Sequence, residues 1–222
     1  MTISVILTGS TGMVGEGVLL ECLADPRVAR VLVVNRKPLG RTHPKLAEIV
    51  HADLHDLSAI ERQLAGYDAC FFCLGVSSIG MNEHDYRHVT YDLTTNFART
   101  LARLNPEMSF TYVTGAGTDS TEHGQVMWAR VKGATENELL RLFRRAVMFR
   151  PGMMRATKGQ KNLKGWYHAI AWIYPIGRAL APGKFCTLQE VGRAMINAAS
   201  AGAPRHILEV RDIVDLAGLR AS

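Results

Sequence analysis

The chain of 222 residues predicts an α/β fold: a doubly wound parallel sheet with helices on both faces and a small C-terminal lobe. Three observations carry that prediction. Short apolar runs alternate with longer segments of helical period, the pattern of strands joined by crossover helices. The first run, Ile3–Leu7, passes directly into a glycine-rich turn and a helix start. The composition, 47% apolar and 21% charged, can fill a core and is too apolar for disorder.

Each element follows from local signals. A strand over Ile3–Leu7 leads into a helix over Met13–Leu23, and Asp25-Pro26 marks the turn before a second strand at Val31–Val34. A third strand falls near Ala47–Val50 and a fourth at Ala69–Leu74. In the helix expected over Glu83–Leu104, the residues Val89, Leu93, Phe97, Leu101 and Leu104 recur at spacings of three and four. Asn105-Pro106 stops it. A fifth strand at Phe110–Val113, a helix over Gly124–Phe143 and a sixth strand at Ala146–Phe149 follow, ended by Pro151-Gly152. Residues 153–165 read as a basic loop, and Gly165–Leu180 as an aromatic helix with Pro175 as a kink or break. Thr187 caps a helix over Leu188–Ser200, with Glu190 completing a capping box. His206–Val210 reads as a last strand. No linker or repeat interrupts the chain, so one domain over 1–222 is expected, its core at about 1–152 and its lobe at about 153–222.

The turn after the first strand reads Thr8-Gly9-Ser10-Thr11-Gly12-Met13-Val14-Gly15. A dinucleotide requires such backbone. The first glycine allows a tight turn, the second admits the pyrophosphate, and the third lets helix and strand pack closely. The helix N-terminus then offers unpaired N–H groups to the phosphates. About 20 residues further on, at the end of the second strand, nicotinamide enzymes choose between NAD, with an acid, and NADP, with an arginine. The residues there are Asn35-Arg36-Lys37, without an acid. Arg36 can pair with a 2′-phosphate, so NADP is favoured and NAD stays open. Asp53, before Leu54, is placed either to meet the adenine amino group or to cap a following helix. Cys73-Leu74-Gly75 ends the fourth strand, where Gly75 lets backbone pass close to the cofactor.

These motifs, with Lys132-Gly133 and Arg150-Pro151-Gly152, appear in an order that resembles the short-chain dehydrogenase/reductase superfamily. More narrowly, the chain resembles its atypical members with an NAD(P)H-binding, epimerase-like domain, the group of the Tat-interacting-protein-like oxidoreductases. The resemblance covers residues 1–152 well and the tail loosely. It implies a Rossmann fold with NAD(P) across the strand ends, and a substrate lobe after Pro151. It also implies a Tyr-x-x-x-Lys pair, the tyrosine exchanging a proton with the substrate and the lysine holding the nicotinamide ribose. The matching stretch is Trp128-Ala129-Arg130-Val131-Lys132: the lysine is present and tryptophan stands for tyrosine. Indole N–H only donates, so Trp128 can orient a carbonyl but cannot act as a general acid. The family's Ser/Thr position is best matched by Thr114, with Thr118 and Ser120 also open. Tyr91, Asp119, His123 and Tyr167 are conceivable substitute acids.

The resulting expectation is an NADP(H)-dependent oxidoreductase or epimerase-like enzyme acting on a small carbonyl or alcohol. The alternative is a non-catalytic NADP(H)-binding protein acting through a partner. The substrate is not legible, and the helices near Glu83–Leu104 and Gly124–Phe143 are candidate homodimer contacts.

Other readings are exclusions. The first residues carry no charged leader-like region, and no apolar run reaches the length of a spanning helix. Cys70 and Cys73 lie in an apolar strand, on opposite faces, as buried small hydrophobes rather than a redox pair or zinc site. Reduced thiols point to a cytoplasmic protein. His84 and His88 have metal-compatible spacing but neither an intervening Glu nor a third ligand, so no metal is expected. The net charge of +6 is local: residues 130–164 hold ten Lys/Arg against Glu136 and Glu138, and the remaining 16 basic and 18 acidic groups sum to −2. Arg155, Lys158, Lys161 and Lys164, ahead of Trp166-Tyr167, read first as a solvated basic loop, then as a grip on an acidic substrate, on phosphates or on a membrane. Nucleic acid and membrane are not the expected partners.

Overall fold

The computed structural model describes residues 2–161 and 167–219, with the backbone alone over 167–173. Seven parallel strands form one sheet in the order β3-β2-β1-β4-β5-β6-β9. They are β1 (Ile3–Thr8), β2 (Val28–Asn35), β3 (Leu46–Val50), β4 (Ala69–Phe72), β5 (Ser109–Val113), β6 (Arg145–Arg150) and β9 (Ile207–Glu209). The order reverses between β1 and β4, the switch point at which such sheets bind ligands beyond their strand ends. A separate parallel pair joins β7 (Met153–Arg155) to β8 (Phe185–Thr187).

Alternate strand residues build two cores. Val5, Leu7, Val31, Val33, Phe71 and Phe149 face α1 (Met13–Ala24), α6 (Leu188–Ala201) and α7 (Val210–Gly218). Ile6, Leu32, Val34, Phe72, Phe110 and Tyr112 face α3 (Leu93–Leu104) and α4 (Met127–Leu142). Both faces of the central strands are therefore covered, which is why they read as unbroken apolar runs. Each fully buried Leu, Ile, Val or Phe contributes roughly 1.5–3 kcal/mol before chain entropy opposes it. On the second face the Phe110 and Phe143 rings stack with centroids 4.7 Å apart, and Phe97 meets Phe72 edge-on at 5.5 Å. On the first, α1 and α6 approach through glycines: a Cβ on Gly17 would lie 2.8 Å from the Leu188 Cβ, and one on Gly192 2.8 Å from the Glu21 Cβ.

The long helix expected over Glu83–Leu104 is present but not uniform. It comprises α2 (Glu83–Arg87), one π-helical turn (His88–Asp92) and α3. Asn82 caps it, its side chain accepting the Asp85 N–H. The strand ends differ from expectation by one to three residues, most at β2, which starts at Val28 and not Val31. Three short elements depart from it outright: β7 lies in the segment read as loop, and β8 and α7 had no counterpart. Helix α5 (Tyr167–Leu180) runs through Pro175. Thr187 and Glu190 form the expected capping box on α6. Cys70 packs in the second core and Cys73 against the first, and all four cysteines are free thiols.

Candidate functional site

The strand-to-helix turn after β1 is built for close backbone packing. Gly9 has φ +70°, and a Cβ there would lie 2.6 Å from the Cys73 carbonyl oxygen at the end of β4. A Cβ on Gly15 would overlap the Gly9 carbonyl itself, so α1 lies directly on the turn. The Gly12 N–H donates to Gly9 O at 2.9 Å, and Gly12 occupies the N-cap of α1 without any side-chain cap. Among the described residues the first amides of α1, those of Met13 and Val14, meet no capping side chain, and Gly9 and Thr11 line a cavity beside them. This geometry fits the pyrophosphate of a dinucleotide, because helix-start N–H groups and the dipole both favour an anion. Thr11 is exposed at its rim, whereas Ser10 is fully buried.

Ser10 turns inward. Its hydroxyl donates to Asn35 Oδ1 at 2.9 Å, Asn35 Nδ2 donates to Glu48 Oε1 at 3.1 Å, and that oxygen also accepts the Leu39 N–H at 2.8 Å. Asn35 is buried, while Arg36 and Lys37 stand exposed beside it. A cavity of about 520 Å³ opens here between Gly9, Thr11, Asn35, Arg36, Lys37, Leu54 and Leu74. Asp53 is exposed, and its carboxylate accepts the His55 N–H at 2.8 Å. It closes a local turn, and no helix begins there for it to cap. The Leu74 N–H donates to the Thr8 hydroxyl at 3.3 Å, tying the ends of β1 and β4. Gly75 is exposed, and a Cβ on it would meet no protein atom.

The second half of the site hangs on the loop after β5. Lys132, half-buried on α4, donates from Nζ to the Thr114 carbonyl oxygen at 2.7 Å, and its Nζ lies 6.0 Å from the centre of the Trp128 ring. Burial pushes its pKa down to about 8, opposed by the nearby Glu136 carboxylate. Lys132 and Glu136 are one helical turn apart and grip the same residue. Glu136 accepts the Thr114 hydroxyl at 2.6 Å. Its carboxylate is fully buried and paired with the Arg150 guanidinium, whose Nε donates at 3.1 Å. Arg150 also donates to the Ser120 hydroxyl at 2.5 Å and to Glu209 at 3.4 Å, so one arginine joins the β5 loop, α4 and the start of α7.

The candidate hydroxyls are therefore committed within the protein. Thr114 faces Glu136, Thr118 donates to Gly115 O at 2.8 Å, and Ser120 holds Arg150. The Asp119 carboxylate accepts from Thr121 and from the Gly124 N–H, and these bonds hold its pKa below the usual carboxylate range. It fastens the loop instead of offering a proton. That loop crosses α4 so closely that a Cβ on Gly133 would overlap the Asp119 carbonyl. Trp128 is half-buried beside Gly117. Tyr91 lies beneath the Arg87 guanidinium, 4.1 Å from its ring centre, and His123 is exposed on the loop. The side chain of Tyr167, with Lys164 and Trp166, falls outside the described residues. Sequence reasoning passed over the Glu136–Arg150 pair. Its only local signals were the four-residue step from Lys132 and the arginine before Pro151-Gly152.

The segment after β7 closes over the start of α1. Gln160 Nε2 donates to Met13 O at 2.7 Å, and the Lys161 N–H donates to the buried Glu16 carboxylate at 2.9 Å. Arg155 lies over the Tyr174 ring at 4.8 Å, whereas Lys161 meets Glu16 through its main-chain N–H and not its ammonium. His88 stacks on His55 at 4.5 Å and pairs with Asp92, while His84 pairs with Asp85. Among the described residues no cluster of His, Cys, Asp or Glu is arranged to hold a metal. No helix among them is long and apolar enough to cross a membrane.

Comparison with known proteins agrees with this geometry. Residues 5–125 match the NAD dependent epimerase/dehydratase family. Protein fmp52-1, mitochondrial, of Aspergillus oryzae is 30% identical over 201 residues, covering 86% of this chain and 84% of that protein. Protein FMP52, mitochondrial, of Chaetomium globosum is 25% identical over 95% of both chains. In fold, the chain is similar to the Bordetella bronchiseptica enzyme WbmF, crystallised in complex with NAD+, with a TM-score of 0.67 and 17% identity over 97% of this chain and 76% of that one. The cytoplasmic expectation requires correction, because six fungal relatives carry "mitochondrial" in their names. Free thiols do not choose among compartments.

Proposed function

We propose, on the premise that this chain belongs to the NAD dependent epimerase/dehydratase family, that it uses NADP(H) to oxidise or reduce a small carbonyl or alcohol without a tyrosine acid. At the coarser level it is an NAD(P)-binding, Rossmann-fold protein of oxidoreductase/epimerase-like character. The observation that carries the finer reading is that the glycine turn and Lys132 lie at one edge of the sheet. Parallel strands put the turn after β1 and the loop after β5 at the same, carboxyl-terminal edge.

Gly9, Gly12 and Gly15 with the first amides of α1 would hold the pyrophosphate. Arg36 and Lys37 would meet the 2′-phosphate, and Lys132 the nicotinamide ribose. When bound, the nicotinamide supplies or accepts a hydride. The chain's own part is positional. The Thr114 carbonyl holds one N–H of the Lys132 ammonium and leaves two to donate to ribose hydroxyls. The buried Glu136–Arg150 pair fixes that carbonyl through the Thr114 hydroxyl. In this reading Thr114 acts on Lys132 rather than on the substrate, Trp128 donates an N–H to the substrate oxygen, and water supplies the proton.

The commitment of Thr114, Thr118 and Ser120, together with tryptophan at 128, favours a second reading, a binder without turnover. Loss of NADPH absorbance with a panel of small aldehydes and ketones, for the parent and Trp128→Tyr, separates the two. Turnover by the parent that falls in the variant supports the enzyme reading. A silent parent and an active Trp128→Tyr support the binder and overturn it.

A further inference from the structure

The acid missing from the end of β2 has a neighbour that the linear sequence hides. Glu48 lies on β3, opposite Val33 of β2. A single oxygen of its carboxylate accepts both the Asn35 side-chain amide, at 3.1 Å, and the Leu39 main-chain N–H, at 2.8 Å. Those two donors bracket Arg36-Lys37-Pro38. The turn is thus pinned at both ends on one atom, and Pro38 restricts its φ between them. Asn35 is itself fixed, since it is 3% exposed and accepts the hydroxyl of the fully buried Ser10. The chain Ser10–Asn35–Glu48–Leu39 therefore ties the glycine turn to the turn carrying the two cations. Neither Arg36 nor Lys37 has an acidic partner among the described residues, and both line the 520 Å³ cavity beside Gly9. Held on a fixed turn with their charges unpaired, they suit a phosphate dianion at that mouth.

From this geometry we infer that Glu48 is a positioning residue for cofactor choice: it holds the Arg36–Lys37 turn against the glycine loop so that the two cations meet a 2′-phosphate. The inference rests on the NADP reading above. Glu48 touches no cofactor atom in this role. Its carboxylate is spent on backbone and amide donors, and an unclamped acid at that spot would repel the phosphate it helps to select.

Two substitutions separate geometry from charge. Glu48→Gln keeps an oxygen able to accept both bonds and removes the charge, and Glu48→Ala removes the acceptor. The dissociation constants of NADPH and NADH, from nucleotide fluorescence on the full chain, give the readout, with thermal unfolding as a check on folding. The exposed position of Glu48 lets both variants fold. Glu48→Ala is expected to weaken NADPH on the order of tenfold, the loss of hydrogen bonds to a charged acceptor, with NADH changed less than about threefold. Glu48→Gln is expected to stay within about threefold of the parent for both. A parent that prefers NADPH and a Glu48→Ala variant with the same preference overturn this inference alone. Equal tightening of NADPH in both variants overturns it too, since Glu48 would then act only as a repelling charge. A parent without NADPH preference overturns the NADP reading, and this inference with it.

Discussion

Replacing Lys132 with methionine should make the protein more stable at neutral pH while removing its hold on cofactor. Burial lowers the Lys132 pKa from 10.5 to about 8, so the charged form is penalised in the folded state. At about 1.4 kcal/mol per tenfold change this is roughly 3 kcal/mol at most. Lys132 is only half-buried, so water screens part of that, and about half is a reasonable share. Deleting the Nζ bond to Thr114 O takes back about 1 kcal/mol. The net gain for Lys132→Met at pH 7 is then on the order of 1 kcal/mol, or about 2–4 °C in Tm for a chain of this size. The pH dependence fixes the sign. Below pH 8 the lysine is protonated folded and unfolded, and the penalty is complete. Between pH 8 and 10.5 the folded state sheds its proton while the unfolded state keeps it, so parent stability rises with pH. The Lys132→Met advantage should therefore shrink from pH 8 upward and reverse by about pH 10, leaving only the lost hydrogen bond. Scanning calorimetry of both proteins at pH 7 and pH 10 reads this difference directly. A variant less stable than the parent by the same amount at both pH values would refute the argument.

The remaining expectations follow from the same geometry. Gly15→Ala forces a Cβ into the Gly9 carbonyl. It should destabilise the fold by about 1–3 kcal/mol and abolish measurable nucleotide binding, seen together in calorimetry and fluorescence titration. Arg150→Met leaves the fully buried Glu136 without its cation, at a cost of about 3–5 kcal/mol and on the order of 10 °C in Tm. The double replacement with Glu136→Leu should recover most of that loss, and no recovery would mean that the pair is not the cause.

Much of the architecture was legible because its signals are local. Ile3–Leu7 followed by Gly9, Gly12 and Gly15 announces a buried strand and a tight turn in one short stretch. Thr187-x-x-Glu190 spells a capping box that the fold contains. Two of the missed elements have no room for periodicity, since β7 and β8 have three residues each, and the π-helical turn at His88–Asp92 has the same apolar spacing as the helix around it; α7, nine residues long, starts within the stretch read as the last strand. The site was harder because its organisation is long-range. Asn35 was placed correctly at the end of β2, yet nothing in the chain announces that Ser10, 25 residues away, draws its side chain inward. Glu48 looks like an ordinary outward residue of a short strand until register sets it beside the Arg36 turn. Thr114 is a candidate by position alone, and only the pairing of Glu136 with Arg150 shows where its hydroxyl goes.

The most direct test of the central claim is a paired titration of the full chain with NADPH and NADH, followed by nucleotide fluorescence. Saturable binding of NADPH, with NADH weaker by about tenfold or more, is the result expected from the glycine turn and from Arg36 and Lys37, which line the cavity beside it and have no acidic partner among the described residues. Failure of both nucleotides to bind at millimolar concentrations would contradict it, and would leave the glycine turn after β1 a feature of the fold without a ligand.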